Sequence, residues 1–340
     1  MKYRAYVGTY AVRDSEGIYL TEFDAQTGEF KILSAHPAVS PSYLASSSGI
    51  LFAALEHAEF DGGYKGGAAS YTIQADGSLS LLSAKPTCGA VPCHVCLDPT
   101  GDRLFVSNYV DGTLSAFDIK EGVLGEVSLL AHSGHGPNEM RQTGPHVHCA
   151  QVAPDEKTLW VVDLGIDRII SYDMNDLSEV GRFATEPGSG PRHIVFPRSM
   201  PFAWLVCELS NEVYAFERHS KKSIGIYSTL PLGFTGQSAC AAIKFSPDER
   251  YLYVSNRGHD SIACYGINPL TGELDLLAIY PTGGHTPRDF SISPDGEFLF
   301  VANQDSDCIH VFKLENGVPV ETGIALNIPS PACVLFYQFE

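Results

Sequence analysis

A motif of roughly thirty residues recurs along the chain, and it limits the fold more strongly than any other feature of the sequence. Its clearest copy, TGPHVHCAQVAPDEKTLWVVDLGIDRIISY, runs from Thr143 to Tyr172 and contains three strand-like segments separated by a Pro-Asp turn and a short loop. Repeats of roughly 50 residues, each containing one four-stranded unit, are typical of β-propeller blades. The other copies begin at Pro41, which is degenerate, and at Pro92, Pro191, Ala239 and Pro287.

The two ends of the chain each contain part of one further repeat. AYVGTY and GIYLTEFD near the N-terminus read as later strands without a first strand, whereas PACVLFYQF at residues 331–339 reads as a first strand with nothing after it. Joined, they complete a seventh blade and close the ring without a free sheet edge. The sequence therefore predicts an all-β, seven-bladed β-propeller with four antiparallel strands per blade, in which N- and C-terminal strands share one blade. Because no low-complexity linker interrupts the repeats, residues 1–340 are predicted to form a single domain.

Cysteine usage and hydropathy bear on the location of the protein. No apolar run approaches the roughly 18 residues of a membrane helix, and MKYRAYVGTY lacks the apolar core of a signal peptide. Nine cysteines, an odd number, fit a reducing compartment better than a disulfide framework. Cys93 and Cys96 form a C-x-x-C inside a predicted strand and are interpreted as two ordinary thiols. We expect a cytoplasmic protein that is a monomer or a weak homo-oligomer.

The formal net charge of −18 argues against nucleic acid as a partner, because phosphate backbones require a basic surface. The same acidity makes any local cluster of arginine and histidine informative, since such a cluster opposes the charge of the whole chain. No membrane partner is expected either.

Polar residues recur where each predicted first strand begins and each second strand ends. In an antiparallel hairpin these two positions lie side by side, so every blade brings both to one rim of the ring. The opposite rim receives turns such as SPDG and DPTG. Groups of this kind gathered around one channel mouth indicate a binding or catalytic site, the alternative being that they satisfy one another. The strand starts provide His94, His146 with His148, Arg192 with His193, and Arg288 with Asp289; the strand ends provide Glu56-His57, Asn108-Tyr109, Asp163, Glu208, Asn256-Arg257 and Asn303-Gln304.

Two insertions, GPNEMRQTG and EFDGGYKGG, interrupt the repeat and are interpreted as loops on the binding face. Helical turns are expected only in the first of them, within residues 134–144. A metal site is an alternative reading of the neighbouring histidines, because two imidazoles in H-x-H share one face of a strand. Without a carboxylate or a further histidine at a fixed spacing, we expect no metal and no cofactor. The histidines concerned are His132, His135, His146 and His148.

Several long motifs occur in a fixed order: VGTY followed by GIY, PCHV with LFVSNY, GPHVH with LGIDR, GPRH with CELS, SPDERYLYVSNRGHDSI, and PRDFSISPDGEFLFVANQDSD. Together they resemble the seven-bladed lactonase family, which includes bacterial propeller-type 6-phosphogluconolactonases and is related to fungal carboxy-cis,cis-muconate cyclases. The resemblance spans nearly the whole chain. It departs from the family at PRSMPFAW, where a PDGRY-like turn is usual, and at CELS, where Cys207 replaces the commoner Asn before Glu208.

The resemblance implies a lactone-processing enzyme whose substrate lies at the channel mouth. It implies His146, Arg192, Glu208 and Arg257 as the catalytic residues. Glu208 and His146 are both candidates for the base, while Arg192 and Arg257, joined by Arg288, are suited to an oxyanion and to an anionic group. The substrate-binding residues expected from rim geometry are His94, Asn108, His148, His193, Asn256, Arg288, Asn303 and Gln304.

The function predicted from the sequence is hydrolysis of a sugar lactone, with 6-phosphogluconolactone, a small anionic phosphosugar lactone of glucose metabolism and the pentose phosphate pathway, as the substrate. A muconate-type lactonising cycloisomerase and a non-catalytic binding propeller are the alternatives. A binding propeller would present apolar and aromatic patches on its rim rather than arginine, histidine and glutamate. The two enzyme readings stay open, because both substrates are anionic and both require the same arginines.

Overall fold

The computed structural model describes residues 1–337 and places them in seven four-stranded antiparallel sheets. Two 3₁₀ turns, Leu164–Ile166 and Gln304–Ser306, follow the second strands of two of these sheets. The strands in chain order are β1 (Lys2–Thr9), β2 (Gly17–Asp24), β3 (Phe30–Pro37), β4 (Pro41–Ser47), β5 (Ile50–Phe60), β6 (Tyr64–Ile73), β7 (Leu79–Pro86), β8 (Pro92–Leu97), β9 (Arg103–Asn108), β10 (Thr113–Lys120), β11 (Val123–Ala131), β12 (Val147–Val152), β13 (Thr158–Asp163), β14 (Arg168–Asp173), β15 (Glu179–Ala184), β16 (Pro191–Val195), β17 (Phe202–Cys207), β18 (Glu212–Glu217), β19 (Ser223–Ser228), β20 (Ala239–Phe245), β21 (Tyr251–Arg257), β22 (Ser261–Ile267), β23 (Leu274–Pro281), β24 (Pro287–Ile292), β25 (Phe298–Asn303), β26 (Cys308–Glu315), β27 (Val318–Asn327) and β28 (Pro331–Tyr337).

Blade 1 closes the ring with strands from both ends of the chain. Its strand order is β28-β1-β2-β3, and β28 pairs antiparallel with β1 through partners such as Val334 and Val7. Blades 2 to 7 each contain four consecutive strands, from β4–β7 to β24–β27. The predicted seven-bladed propeller is therefore confirmed. Residues 338 and 339, which the sequence reading included in the closing strand, lie outside the described residues.

Helical turns were expected only in residues 134–144. A single turn does occur there, in which the backbone N–H of Gln142 donates to the Asn138 carbonyl at 2.8 Å, but the structure has further helical turns outside this segment. These lie just after β13 and β25, where the chain leaves the second strand and turns back. Within residues 1–337, we find no helix with the length and apolar character needed to cross a membrane.

The second strand of each blade is apolar because neighbouring strands flank it and neighbouring blades cover both of its faces. In β17, Trp204 and Val206 pack with Val254 of the next blade and are fully buried. Blades 7 and 1 meet in the same way through residues such as Phe300 and Phe23. Each large side chain buried in this manner stabilises the fold by about 1.5–3 kcal/mol. The apolar core thus lies between the blades and leaves the inner ends of the strands for polar groups.

A β-bulge recurs near the start of the first strand in every described blade. The residue that opens this strand pairs with a residue at the end of the second strand, and the register then shifts, as between Pro92 and His94. A bulge leaves one residue out of the ladder and re-aims its side chain. In blade 6 the shift spans residues 241–242. The displaced residues of the other blades are Ser42, Cys93, His148, Arg192, Arg288 and Ala332.

Candidate active site

Two repeated positions build a cavity of about 200 Å³ at the mouth of the channel. The bulge residues of blades 3, 4 and 7 supply one set of its walls. The other set comes from the residue at or directly after the last pair between the first and second strands. In several blades the backbone N–H of this residue donates to the residue before the first strand, as from Tyr109 to the Val91 carbonyl at 3.0 Å. Arg141 reaches the cavity from the insertion between β11 and β12. The lining residues are Glu56, Val91, Cys93, Tyr109, Arg141, His148, Glu208, Arg257 and Arg288.

Glu208 is the centre of a cluster of three guanidinium groups. Its Oε1 accepts from Arg141 Nη2 at 2.6 Å, and its Oε2 lies 3.0 Å from Arg192 Nε and 2.8 Å from Arg257 Nη2. Burial acts to raise the pKa of Glu208, but Arg257 and Arg192 outweigh it and hold that pKa well below its usual range. The carboxyl group is therefore ionised at neutral pH, and both of its oxygens accept hydrogen bonds from arginines. In this state Glu208 orients arginines and is a poor acceptor for a proton.

Arg192 and Arg257 are anchored by the backbone of blade 6 as well as by Glu208. Arg192 Nη1 donates to the Ala241 carbonyl at 2.6 Å, and Arg257 Nη2 donates to the Cys240 carbonyl at 2.9 Å. Arg192 is buried, and burial together with the adjacent Arg257 lowers its pKa to about 10, so it remains a cation at neutral pH. Arg257 lines the cavity, whereas Arg192 lies behind it.

His148 faces the cavity as a neutral imidazole. Burial, helped by the positive charge of Arg192, lowers its pKa well below the usual range. Its Nδ1 lies 3.7 Å from Cys93 Sγ, and its ring makes an edge contact with Tyr109 at 5.5 Å between centroids. A neutral imidazole is able to accept a proton. Among the two histidines of the H-x-H segment, His148 is the one in the cavity.

His146 contacts the cavity wall without being one of the residues that line the cavity. Its ring stacks on Tyr109 with centroids 4.5 Å apart, and its Nδ1 donates to the Tyr109 carbonyl at 2.8 Å. Its backbone N–H donates to Asp163 at 2.7 Å. These contacts fix His146 and Tyr109 together. The structure thus places the histidine that the resemblance implied as catalytic against a lining residue, but not among the lining residues themselves.

His94 and His193 form the floor below the cavity with Tyr43. His94 lies 4.3 Å from the Tyr43 ring and 5.3 Å from the His193 ring, measured between centroids. Burial, with a smaller effect of Arg192, lowers the pKa of His94 to about 3. These residues occupy the position after the bulge, so they fill the channel one layer below His148 and Arg288.

The predicted strand-end amides point into their own blades. Asn108 Nδ2 donates to Ser115 Oγ at 2.8 Å, Asn256 Nδ2 to the Thr229 carbonyl at 2.9 Å, and Asn303 Nδ2 to the Thr282 carbonyl at 3.1 Å. Gln304 is at the pocket-facing position of blade 7, but its side chain contacts Asp305 at 3.5 Å and it does not line the cavity. These four residues are not brought to the candidate site. Their geometry indicates that they tie strand ends to neighbouring strands and loops.

The four histidines of the metal alternative do not converge. His132 donates from Nδ1 to Asp163 Oδ2 at 2.7 Å inside the protein, and the exposed His135 contacts the Gly136 carbonyl. In the part of the chain that the structure describes, we find no group of three or more histidine, cysteine, aspartate or glutamate side chains placed to hold a metal ion.

Sequence reasoning missed several residues of the cavity. Arg141 lies in an insertion that was interpreted only as a loop, and Cys93 was interpreted as an ordinary thiol. Glu56 and Tyr109 were recognised at strand ends but were not included among the expected site residues. Their signal is positional, because both directly follow the strand-end residue, as Glu208 does.

A larger cavity, of about 590 Å³, lies at the opposite rim beside the N-terminal strand. Its acidic groups already have partners: Glu22 pairs with Lys2 and Arg4, and Asp295 accepts from Tyr3. The smaller cavity is lined by a neutral imidazole, a shared carboxylate and three guanidinium groups, with a fourth, that of Arg192, bound to the same carboxylate. Chemistry therefore favours the smaller cavity as the candidate active site.

Fold and cavity together define a seven-bladed propeller with an arginine-rich cavity built from the inner ends of its strands. The family model described as "Lactonase, 7-bladed beta-propeller" matches residues 4–336, and the chain belongs to this family. The resemblance noted in the sequence is confirmed, and the protein is a lactone-hydrolysing enzyme.

Relatives with known names or structures match over nearly the whole length. A 6-phosphogluconolactonase of Bacillus subtilis is 37% identical over 355 residues, covering 98% of each chain. The structure described as a periplasmic gluconolactonase of Pseudomonas aeruginosa is 31% identical with a TM-score of 0.92 and full coverage of both chains. A protein from Lactobacillus plantarum is 30% identical, also with a TM-score of 0.92, over 99% of this chain and 100% of its own.

Proposed function

We propose that this enzyme hydrolyses 6-phosphogluconolactone to 6-phosphogluconate in the cavity at the channel mouth. The observation that carries the proposal is the charge of the cavity. Four guanidinium groups, those of Arg141, Arg192, Arg257 and Arg288, line or back it, against the two carboxylates Glu56 and Glu208. This local positive excess occurs in a chain with a net charge of −18, and it favours an anionic substrate. The name of the Bacillus subtilis relative suggests which lactone.

His148 is the general base of this proposal. Lactone opening requires removal of a proton from the attacking water. His148 presents an unprotonated imidazole at the cavity surface for that step, and its lowered pKa makes it a weaker base than an ordinary histidine. Of the two bases that the sequence left open, Glu208 is held as an anion by three arginines and His146 stacks on Tyr109 without lining the cavity.

Arg257 stabilises the charge that develops on the carbonyl oxygen. It lines the cavity, and Glu208 fixes its guanidinium 2.8 Å away. Arg192 supports it from behind through the same carboxylate. A preorganised donor of this kind typically contributes about 3 kcal/mol to transition-state stabilisation. A guanidinium held in place by a carboxylate meets that requirement because it needs no rearrangement during the reaction.

Arg288 binds the phosphate group. Within residues 1–337 it is the guanidinium of the cavity without an ion pair, and it lies over the Tyr10 ring at 5.0 Å. A cation on an aromatic face keeps its N–H groups available for an anion. The unphosphorylated substrate named for the Pseudomonas relative makes phosphate recognition the point to be tested.

In the proposed reaction, a water oxygen forms a bond to the lactone carbonyl carbon while His148 takes one water proton. Arg257 stabilises the oxyanion. The bond between the carbonyl carbon and the ring oxygen then breaks, and the ring oxygen leaves as a hydroxyl with the proton from His148. The products are the free hydroxy acid and the regenerated neutral imidazole, so the cycle consumes one lactone and one water.

The test compares freshly prepared 6-phosphogluconolactone with gluconolactone, following acid release above the spontaneous rate. Arg257→Met is expected to reduce kcat/KM for both lactones by about 100-fold. Arg288→Met is expected to reduce kcat/KM for the phosphorylated lactone at least ~10-fold more than for the unphosphorylated one. Arg182→Met, which removes an exposed arginine of β15, serves as the control.

Spontaneous rates with both lactones would refute the proposed hydrolysis. Interconversion of a muconate-type acid and its lactone by the same preparation would then support the cycloisomerase alternative. Equal losses for the two lactones in Arg288→Met would refute the role of Arg288 while leaving hydrolysis intact.

We further propose that the enzyme functions in the reducing cytoplasm as a monomer or a weak homo-oligomer. All nine cysteines are free thiols, eight of them buried. Cell fractionation and analytical ultracentrifugation test these two points.

A further inference from the structure

Glu56 lines the cavity from blade 2, whereas Arg192 and Arg257 come from blades 5 and 6. Glu56 is only 9% exposed, and its Oε2 has no hydrogen-bond partner among the described residues. A buried carboxylate oxygen without a donor is costly, and natural proteins seldom leave one without a role. The proposed hydrolysis makes no use of this group.

Glu56 and Glu208 occupy the same position in their blades. Each follows the end of the paired segment of a second strand, at Leu55 and at Cys207. Each donates its backbone N–H to the residue before the first strand, at 3.0 Å for Glu56 and 2.7 Å for Glu208. The fold therefore presents two carboxylates to the cavity in equivalent ways.

The surroundings of the two carboxylates differ. Glu208 shares its charge with three arginines, whereas Glu56 forms no ion pair within residues 1–337. Its neighbours are Tyr10, whose hydroxyl pKa is raised by burial and to a smaller extent by the charge of Glu56 and a side-chain hydrogen bond with it, and Arg288 above the Tyr10 ring. Glu56 Oε2 thus retains acceptor capacity at the cavity.

We propose that Glu56 is the residue that recognises the hydroxyl groups of the substrate and so selects polyhydroxylated lactones. Sugar hydroxyls are donors that satisfy a carboxylate, and hydrogen bonds to charged acceptors are the strong ones. A muconate-type dicarboxylate offers no such donors when ionised, and its negative charge is repelled by Glu56. This inference rests on the proposed function, because it takes a sugar lactone as the ligand.

The test uses two product-like ligands that differ only in their hydroxyl groups. 6-Phosphogluconate carries four of them on its carbon chain, and 6-(phosphonooxy)hexanoate carries none, while both retain the carboxylate and the phosphate. Calorimetry gives Kd for each ligand on the wild type, Glu56→Ala, Glu56→Gln and the control Glu59→Gln. Glu59 lies on the same strand but is exposed and does not line the cavity.

We expect the wild type and Glu59→Gln to prefer 6-phosphogluconate, and Glu56→Ala to reduce that preference by at least ~10-fold. Glu56→Gln, which keeps the shape and a weaker acceptor, should lie between them. The ratio of the two Kd values cancels the general gain in anion binding that loss of a negative charge produces.

An unchanged ratio in Glu56→Ala, or no preference for 6-phosphogluconate in the wild type, would overturn the inference. If Glu56→Ala reduces the preference as expected but the wild type opens neither lactone above the spontaneous rate, the proposed hydrolysis is refuted while Glu56 is supported as the hydroxyl-binding residue. The two failures are therefore distinguishable.

Discussion

Replacing Glu208 by glutamine tests whether one carboxylate holds the site together. The substitution keeps the size of the side chain and removes the charge that Arg141, Arg192 and Arg257 share. Arg192 is the partner most affected, because its side chain is only 3% exposed and would remain as a buried cation without a counterion. Arg141 is 41% exposed, so water compensates for its lost contact.

Removing one partner of a buried ion pair typically costs about 3–5 kcal/mol of folding free energy. That cost is a large share of the total free energy of unfolding of a folded protein, which is roughly 5–15 kcal/mol. We therefore expect Glu208→Gln to fold with a melting temperature lowered by on the order of 10 °C. Chemical and thermal unfolding at pH 7, followed by tryptophan fluorescence, measures the change.

The pH dependence of this loss follows from the lowered pKa of Glu208. A carboxyl group with a depressed pKa stabilises the fold above its unfolded value, which is about 4.3, and loses that contribution as pH falls through the folded value. The difference in free energy of unfolding between the wild type and Glu208→Gln should therefore be constant between pH 8 and about pH 5 and become smaller at lower pH.

Glu179→Gln is the matched control, since Glu179 pairs with Arg182 at the exposed edge of blade 4. Exposed pairs of this kind contribute only about 0–1 kcal/mol. Equal effects of the two substitutions, or a difference between the wild type and Glu208→Gln that grows on acidification, would refute the reasoning.

Three further predictions concern the chemistry of the cavity. Because the pKa of His148 is lowered well below its usual value, kcat/KM should stay level from pH 8 down to about pH 6 and fall only in more acidic solution, and a pH profile with an acid limb near pH 7 would contradict this assignment. Arg141→Met should raise KM while changing the free energy of unfolding by less than about 1 kcal/mol, since Arg141 is half exposed; a collapse of kcat with unchanged KM would contradict it. Burial raises the pKa of Cys93, so its thiol is a poor nucleophile and Cys93→Ala should retain kcat within about 3-fold; a loss of about 100-fold together with a covalent adduct seen by mass spectrometry would indicate an acyl-enzyme route instead.

The fold could be predicted from the sequence because the repeated motif shows directly how many blades there are and where each begins. Six internal copies and two partial ones fixed the number of blades, and the terminal segments AYVGTY and PACVLFYQF could pair only with each other. The structure pairs Val7 with Val334 in that way. Hydrophobic pattern decides such a fold because every second strand must be apolar on both faces.

The candidate cavity lies at the rim that the sequence indicated, but several of the predicted side chains do not line it. Side chains alternate along a strand, so a shift of one residue exchanges the two faces. The bulge introduces such a shift, and it turns Cys93 and His148 toward the cavity while His94 passes to the layer below. No residue type marks a bulge that every blade repeats. The sequence therefore indicated the segments and left their orientation undetermined.

Arg141 could not be predicted for a different reason. It belongs to an insertion without counterpart in the other blades, so the repeat supplies no position for it. Its place is set by tertiary contacts, among them Gln142, whose Nε2 donates to the Leu164 carbonyl and to Asp167, each at 2.8 Å. Long-range contacts of this kind leave no periodic trace in a sequence.

The departure at CELS shows which repeated position the catalytic proposal requires. Cys207 stands where other blades have Asn108 or Asn256, is fully buried and packs in the apolar cluster between blades 4 and 5. The backbone N–H of Glu208 nevertheless donates to the Gly190 carbonyl at 2.7 Å, as its counterparts do. The backbone of the residue after the strand end thus ties the first two strands together whatever its side chain. That side chain is therefore free to vary with function. On this reasoning the ligand of such a propeller is determined by the bulge and by the residue that follows the second strand, which in this chain supply an imidazole, guanidinium groups and two carboxylates with different surroundings.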